Sequence, residues 1–113
     1  MTALAALHAP APFLLWRAAL TQTPPDAAIA QLAPAERERA ARFRFERDRR
    51  RYLAAHCALR TVLSDYTGLP PHLLAYQEGP YGKPEVANRP RACVFNLSHS
   101  EDTAVIALAP AGQ

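Results

Sequence analysis

The stretch Phe95 to Pro110 combines strand-forming residues with side chains that could bind an anion. An apolar run ends at Leu97 and is followed by Ser98-His99-Ser100, an acidic turn and a second apolar run. An imidazole and two hydroxyls at the end of a rigid strand offer convergent donors that suit a phosphate. A catalytic serine–histidine pair fits poorly, because adjacent residues of a strand point to opposite faces. The alternative is a polar hairpin turn whose serines bond the backbone.

A second candidate is the turn GPYGKP, residues 79–84, which contains Lys83, the only lysine of the chain. Gly82 allows close approach of the backbone to a ligand, and Pro84 restricts Lys83 to extended conformations. The turn lacks the Gly-Lys-Ser/Thr ending of a Walker loop. It is therefore either a plain rigid turn or a segment that fixes the direction of one cation.

The third candidate is a cluster of arginines: eight of the thirteen basic residues lie in the segment 37–51. Acidic residues interleave with them, which favours a solvated face with ion pairs. A nucleic-acid surface is the weaker interpretation, because no aromatic platform or known motif accompanies the charges. Arg44, Arg47 and Arg51 would share one face of a continuous helix. Arg51 adjoins the apolar position Tyr52, so we expect Arg51 to be the best ordered of the three.

Composition indicates a small folded protein without a metal site. The chain has 113 residues, half of them apolar, and this length is typical of one domain. Cys57 and Cys93 have no metal-type spacing and are expected to be buried, and no carboxylates cluster as metal ligands do. The amino terminus lacks the basic start of a signal peptide, and no apolar run is long enough to span a membrane. We therefore expect a cytoplasmic protein.

Hydrophobic periodicity predicts an α+β domain, with helices packed on a small, mainly antiparallel sheet. His56 belongs to an apolar helical stripe and is expected to be a hydrogen-bonded core histidine. The last two strands should form a hairpin buried on both faces. The predicted elements are a strand at 13–16, a short helix capped by Asp26, a helix from Pro34, a break near Phe43–Phe45, a helix from Asp48 to Gly68, and strands at 72–77, 92–97 and 103–108.

Three motifs occur in one order along the chain: RDRRRYLAAHCALR, then YGKP, then FNLSHS. Together with the following TAVIAL, they resemble the amino-terminal half of the 4′-phosphopantetheinyl transferases of the surfactin-synthetase-activating type. The likeness is clear from Pro34 to Ala109, so we expect a single domain over 1–113 in which 1–33 is weakly matched. The resemblance implies one half of a two-subdomain α+β fold, with the cofactor between the halves.

The resemblance also implies a function. Such enzymes use magnesium to transfer phosphopantetheine from coenzyme A to a serine of an acyl or peptidyl carrier protein. The coenzyme A contacts that it implies here are Lys83, Ser98 and His99 at the phosphates, Tyr81 and Gly82 along the adenine, and Arg51 and Arg39 at the 3′-phosphate.

The sequence departs from the family pattern in ways that bear on activity. The Gly-x-Asp-x-Glu motif that supplies the magnesium carboxylates would follow the last residue given, as would the Trp-x-x-Lys-Glu helix with a further metal ligand and the catalytic base. No catalytic residue or metal ligand is therefore assigned. Phosphoryl transfer needs metal ions to neutralise developing charge, so we expect half of a transferase site. Glu36 stands where some relatives have a phosphate-binding lysine.

Two other classes of function remain open. A non-catalytic interaction module could pair with a complementary half or with itself through uncovered apolar surface. An arginine-rich nucleic-acid binder would bind DNA or RNA with strong salt dependence. Binding of coenzyme A that depends on Lys83 and His99 would distinguish the transferase half from both.

Overall fold

The computed structural model describes residues 4–79, 84–86 and 92–111. These residues form an α+β fold with one six-stranded antiparallel sheet, as the sequence predicts. The strands are β1 (Leu4–Leu7), β2 (Leu14–Ala19), β3 (Tyr76–Glu78), β4 (Pro84–Val86), β5 (Cys93–Ser100) and β6 (Thr103–Pro110). The helices are α1 (Asp26–Ile29), α2 (Pro34–Ala41), α3 (Glu46–Thr67) and a 3₁₀ turn at Pro71–Leu73.

The centre of the sheet is the β5–β6 hairpin. The strands lie in the order β1-β2-β6-β5-β4-β3, and each neighbouring pair is antiparallel. β5 and β6 pair along their whole length, from Cys93 opposite Pro110 to Ser100 opposite Thr103. Only Glu101 and Asp102 connect them, and Glu101 has a φ of 52°. A tight turn of this kind requires left-handed backbone, which an L residue adopts at some cost.

The hairpin buries one face rather than both, so that part of the prediction is wrong. Phe95, Ile106 and Leu108 are buried in the core, whereas Asn96 and Val105 are exposed. Successive side chains of a strand point to opposite faces, and α3 packs on one face of β2 and β5. We call this the inner face and the opposite one the outer face.

Helix α3 is the element that closes the core. Ala54, Ala55 and Ala58 are buried against the sheet together with Leu59 and Leu63. Small side chains at these positions let the helix axis approach the strands closely, while the leucines fill the remaining volume. The helix ends as predicted, because Gly68 takes the left-handed conformation at φ 80°.

Helices α1 and α2 pack on another side of α3 through a second cluster of buried residues: Leu32, Ala40, Leu53 and Cys57. The predicted break is confirmed, since α2 ends at Ala41 and α3 begins at Glu46. The expected N-cap role of Asp26 is wrong. Asp26 is the first helical residue, after Pro25, and no side chain caps α1. Proline fits immediately before or at the start of a helix because it has no N–H to satisfy.

Other differences lie in short strands. β1 and β4 were not predicted, and the predicted strand 72–77 is a 3₁₀ turn followed by β3. Cys57 and Cys93 are buried, as expected. Burial raises the pKa of the Cys57 thiol to about 11, so this side chain is a protonated, small hydrophobe near neutral pH. Within the described residues, no helix is long and apolar enough to cross a bilayer.

The assignment of inner and outer faces can be tested on two neighbours in β6. Ile106→Ala should lower the free energy of unfolding by about 2–5 kcal/mol, because it leaves a cavity in the core. Val105→Ala, on the outer face at 36% exposure, should cost less than about 1 kcal/mol. Urea denaturation of both variants provides the measurement. Equal losses would show that both faces of β6 are buried.

Candidate anion-binding site

His99 and Arg51 come together although they lie far apart in the sequence. On β5, His99 follows Phe95 and Leu97 at alternate positions, which places it on the inner face. Arg51 lies in the second turn of α3, the helix that covers this face. Both side chains line one open cavity of about 230 Å³, whose lining is Phe43, Asp48, Arg51, Tyr52, His99 and Glu101.

Ser98 and Ser100 do not join His99 in this cavity. Both are exposed positions of β5 that alternate with His99, so their side chains belong to the outer face. The three side chains therefore do not converge on one point. The alternative of a polar turn is also wrong, because all three residues are paired with β6 and the turn consists of Glu101 and Asp102. A phosphate contact of Ser98 stays a prediction.

The guanidinium of Arg51 is held at one end. Its Nε donates a hydrogen bond to Oδ1 of Asp102 at 2.9 Å. Within the described residues, neither of its Nη atoms nor either ring nitrogen of His99 has a hydrogen-bond partner. The Arg51 side chain is 21% exposed, whereas Arg47 on the preceding turn is 62% exposed. Arg51 is thus the more enclosed cation, in agreement with the sequence analysis.

Asp102 also accepts a hydrogen bond from a second arginine, Arg50. Nη2 of Arg50 donates to the same Oδ1 at 2.9 Å, and Nε of Arg50 donates to the carbonyl of Leu20 at 3.0 Å. The N–H of Leu20 in turn donates to the carbonyl of Asp102 at 2.7 Å. Hydrogen bonds from Arg51 and Arg50 lower the pKa of Asp102, which keeps it ionised near neutral pH.

Arg39 lies in a neighbouring cavity rather than in the one lined by Arg51 and His99. Its cavity is lined by Arg39, Arg42 and Phe43. Phe43 lines both cavities, so the two are adjacent. A contact between Arg39 and an anion held by Arg51 stays a prediction.

Lys83, Tyr81 and Gly82 lie outside the described residues. The chain is described again from Pro84, which begins β4, and β4 pairs with β5 at Glu85–Val94 and Val86–Cys93. A joint grip of Lys83 and His99 on a phosphate therefore stays a prediction.

Glu36 takes part in a mostly buried ion-pair network instead of an anion site. Its carboxylate accepts hydrogen bonds from the N–H of Ala33 at 2.8 Å and from Nε of Arg60 at 2.8 Å, and it lies 3.2 Å from Nδ1 of His56. Arg60 is 4% exposed and stacks over the ring of Tyr76 at 4.6 Å. His56 is thus a hydrogen-bonded, largely enclosed histidine, as predicted. Burial alone would raise the pKa of Glu36, but the hydrogen bonds from His56, Ala33 and Arg60 lower it.

The arginine cluster is divided between internal and exposed roles. Arg49 bonds to Glu46 and to the carbonyls of Ala40 and Phe43, and it thereby joins the end of α2 to α3. The expected pattern of ion pairs is therefore present, although Arg44 precedes α3 and does not share a helical face with Arg51. In the part of the chain that the structure describes, no group of three or more His, Cys, Asp or Glu could hold a metal ion.

Two parts of this arrangement were missed by the sequence analysis: the role of Asp102 and the network around Arg60. The sequence contains a weak signal for the role of Asp102. It is an acidic residue in a tight turn beside the strand that carries His99, and the consecutive arginines 49–51 are possible partners for it. The signal for Arg60 was a lone charge within the apolar half of α3, since such a charge needs a buried partner.

Comparisons with known proteins agree with the resemblance described above. A family model for "4′-phosphopantetheinyl transferase, N-terminal" matches residues 16–111. The chain is 36% identical over 100 residues to the 4′-phosphopantetheinyl transferase HetI of Nostoc sp., covering 83% of this chain and 41% of HetI. It is 40% identical over 78 residues to a phosphopantetheinyl transferase of Thraustochytrium sp., covering 68% of this chain and 27% of that protein. The chain spans less than half the length of these relatives.

The Glu36 network makes a prediction about acid stability. Because the folded state lowers the pKa of Glu36, its carboxylate stabilises the fold fully above the ordinary value of 4.5. This contribution is lost as the pH falls through the lowered folded value. Glu36→Gln should therefore reduce the free energy of unfolding by about 2 kcal/mol at neutral pH and by progressively less in acid.

Denaturant titrations of the wild type and Glu36→Gln, from neutral pH down to about pH 3, test this. Glu38→Gln is a useful comparison, since Glu38 is an exposed carboxylate on the same helix. A destabilisation by Glu36→Gln that is the same at every pH would contradict the assignment.

Proposed function

The chain belongs to the 4′-phosphopantetheinyl transferase family, and we propose that it is the amino-terminal domain of such an enzyme, over residues 1–113, and binds coenzyme A. The cavity between α3 and the end of β5 would receive a phosphate of coenzyme A. Arg51 and His99 would contact that phosphate. Lys83, Ser98 and Arg39 would contact coenzyme A phosphates outside this cavity. Tyr81 and Gly82 would lie along the adenine.

One observation carries this proposal: two groups that can donate to an anion, from distant parts of the sequence, line the same cavity, and the Nη atoms of Arg51 and the ring nitrogens of His99 have no hydrogen-bond partner among the described residues. The Nη atoms of Arg51 form a planar pair of donors that matches the oxygens of a phosphate. His99 projects from a strand fixed by eight residues of pairing with β6. Donors held on a helix and a central strand need little reorganisation to bind a ligand.

The acidic residues of the lining limit the charge of this cavity. Asp48 and Glu101 are both present, and Asp48 lies 3.7 Å from Nε of Arg47, which partly neutralises it. A single phosphate group therefore fits the cavity better than a long polyanion. This balance also disfavours the nucleic-acid alternative, as do the hydrogen bonds that Arg49 and Arg50 make within the protein.

Transfer of phosphopantetheine to a carrier protein would need more than these residues. Magnesium is the metal that the family implies, and the described carboxylates do not form a group that could hold it. We therefore assign no step of the reaction to this domain. In the proposal, a carboxy-terminal half, in a longer chain or a second polypeptide, supplies the metal ligands and the catalytic base.

A second candidate function, an interaction module, is favoured by the outer face of the sheet. Leu7, Phe13 and Val105 are apolar and 37%, 53% and 36% exposed. Large apolar side chains in open positions on one sheet face are typical of surfaces that pack against another protein unit. This function does not exclude the first, because a transferase half must also pair with its complement.

Calorimetry with coenzyme A tests the proposed site. Arg51→Ala, His99→Ala and Lys83→Ala should each weaken binding about 10- to 100-fold, because each removes a charge-assisted hydrogen bond. Arg17→Ala is the matched control: it removes the same charge from an exposed position of β2, opposite Val105 on the outer face, and should leave binding nearly unchanged. If coenzyme A does not bind the wild-type chain, or binds all four variants equally, the proposed site is wrong.

A mass-spectrometric assay tests whether modification of a carrier protein requires the carboxy-terminal half. Incubated with coenzyme A, magnesium and an acyl carrier protein, this chain should give no gain of a phosphopantetheine group. Addition of a carboxy-terminal half from a relative, or its fusion to this chain, should restore modification. Efficient modification by the 113-residue chain alone would show that it contains a complete catalytic site.

A further inference from the structure

Asp102 closes a ring of hydrogen bonds that joins three segments of the chain. Its carbonyl accepts from the N–H of Leu20, and the carbonyl of Leu20 accepts from Nε of Arg50. Nη2 of Arg50 donates a hydrogen bond to Oδ1 of Asp102, which closes the ring. The end of β2, the β5–β6 turn and the start of α3 are thereby fixed to one another. Leu20 is fully buried, so the ring rests on the core.

Arg51 is attached to this ring by its Nε alone. It donates to the same Oδ1 of Asp102 at 2.9 Å. A guanidinium is rigid and planar, so a fixed Nε restricts the directions of both Nη atoms. Arg51 lines the cavity together with His99, which lies on β5 two residues before the turn begins at Glu101. One carboxylate thus sits between the two elements that carry the candidate phosphate ligands.

We propose that Asp102 is a positioning residue for coenzyme A binding, which orients Arg51 so that its Nη atoms face the phosphate beside His99. This inference rests on the proposed function of the cavity. Asp102 does not line the cavity, and in this proposal it does not touch the ligand. It acts through the hydrogen bond to Nε of Arg51, and the ring through Arg50 keeps its own carboxylate in place.

Simple electrostatics makes the opposite prediction, which gives the proposal a sharp test. Asp102 is a negative charge next to a site for an anion, and by Coulomb's law its removal should strengthen binding of coenzyme A. Loss of positioning should weaken binding, because Arg51 then loses rotamer freedom when the ligand binds. The hydrogen bonds that lower the pKa of Asp102 keep its charge present in the free protein.

The experiment compares Asp102→Ala with Glu101→Gln by calorimetry with coenzyme A. Asp102→Ala should bind about tenfold more weakly than the wild type. Glu101→Gln is the matched comparison, because it removes a negative charge from the cavity lining without removing a partner of Arg51; it should bind more tightly than the wild type. Tighter or unchanged binding by Asp102→Ala would overturn the proposal.

A double-mutant cycle separates positioning from a general loosening of the hairpin. In an Arg51→Ala background, Asp102→Ala should cause no further loss of affinity, since its effect passes through Arg51. A further loss of the same size would mean that Asp102 acts through the hairpin or His99, and the proposal would be wrong. Thermal unfolding of each variant verifies that it is folded at the assay temperature.

A measurement on the ligand-free wild-type protein tests the inference even where a variant folds poorly. The side-chain Nε–H of Arg51, observed by nuclear magnetic resonance of the wild type, should exchange with solvent more slowly than that of exposed Arg47. Equally fast exchange would show that Asp102 does not hold Arg51, and would overturn the inference by itself. Absence of coenzyme A binding by the wild type would instead overturn the proposed function on which it rests.

Discussion

The pairing of β5 with β6 is the constraint on which the rest of the structure depends. Its register, from Cys93–Pro110 to Ser100–Thr103, decides which side chains meet α3. The same alternation that buries Phe95 and Leu108 also puts His99 on the inner face, next to the turn of the hairpin. A slip by one residue would reverse every assignment. Core packing therefore specifies the position of His99 without any requirement for an interaction of the imidazole itself.

Helix α3 serves both the core and the cavity because its character changes along its length. From Leu53 onward its buried residues are mainly alanine and leucine, which pack on the sheet. Its first two turns are rich in arginine, and there the guanidiniums reach acceptors on other segments, such as Leu20 and Asp102. Arginine suits this position because its aliphatic stem can cover apolar surface while its planar head bonds at the edge. The apolar section stabilises the helix, and the cationic section is positioned as a consequence.

The sequence predicted the long elements and the family, and it failed where short-range pattern is weak. The end of α3 at Gly68 and the β5–β6 hairpin follow from glycine chemistry and continuous apolar runs. β1 and β4 are four and three residues long, too short for a period to be recognised, and they exist because a neighbouring strand offers hydrogen bonds. The convergence of Ser98 with His99 was predicted by composition but excluded by strand alternation. Arg51 was chosen correctly as the enclosed cation, whereas its partner Asp102 could not be identified, because that contact joins residues 51 positions apart.

The presence of Glu36, where some relatives carry a phosphate-binding lysine, need not conflict with an anion site at Arg51. Glu36 bonds to His56 and Arg60, which follow Arg51 on the same helix by five and nine residues, or about 7.5 and 13.5 Å along its axis. Its charge is neutralised locally by Arg60, with which it forms an ion pair of 2.7 Å. His56, which belongs to this network, stacks on Tyr52 with 4.1 Å between the ring centroids, and Tyr52 lines the cavity. The carboxylate thus stabilises the junction of α2 and α3, and the cations available to a phosphate are those at the beginning of the helix.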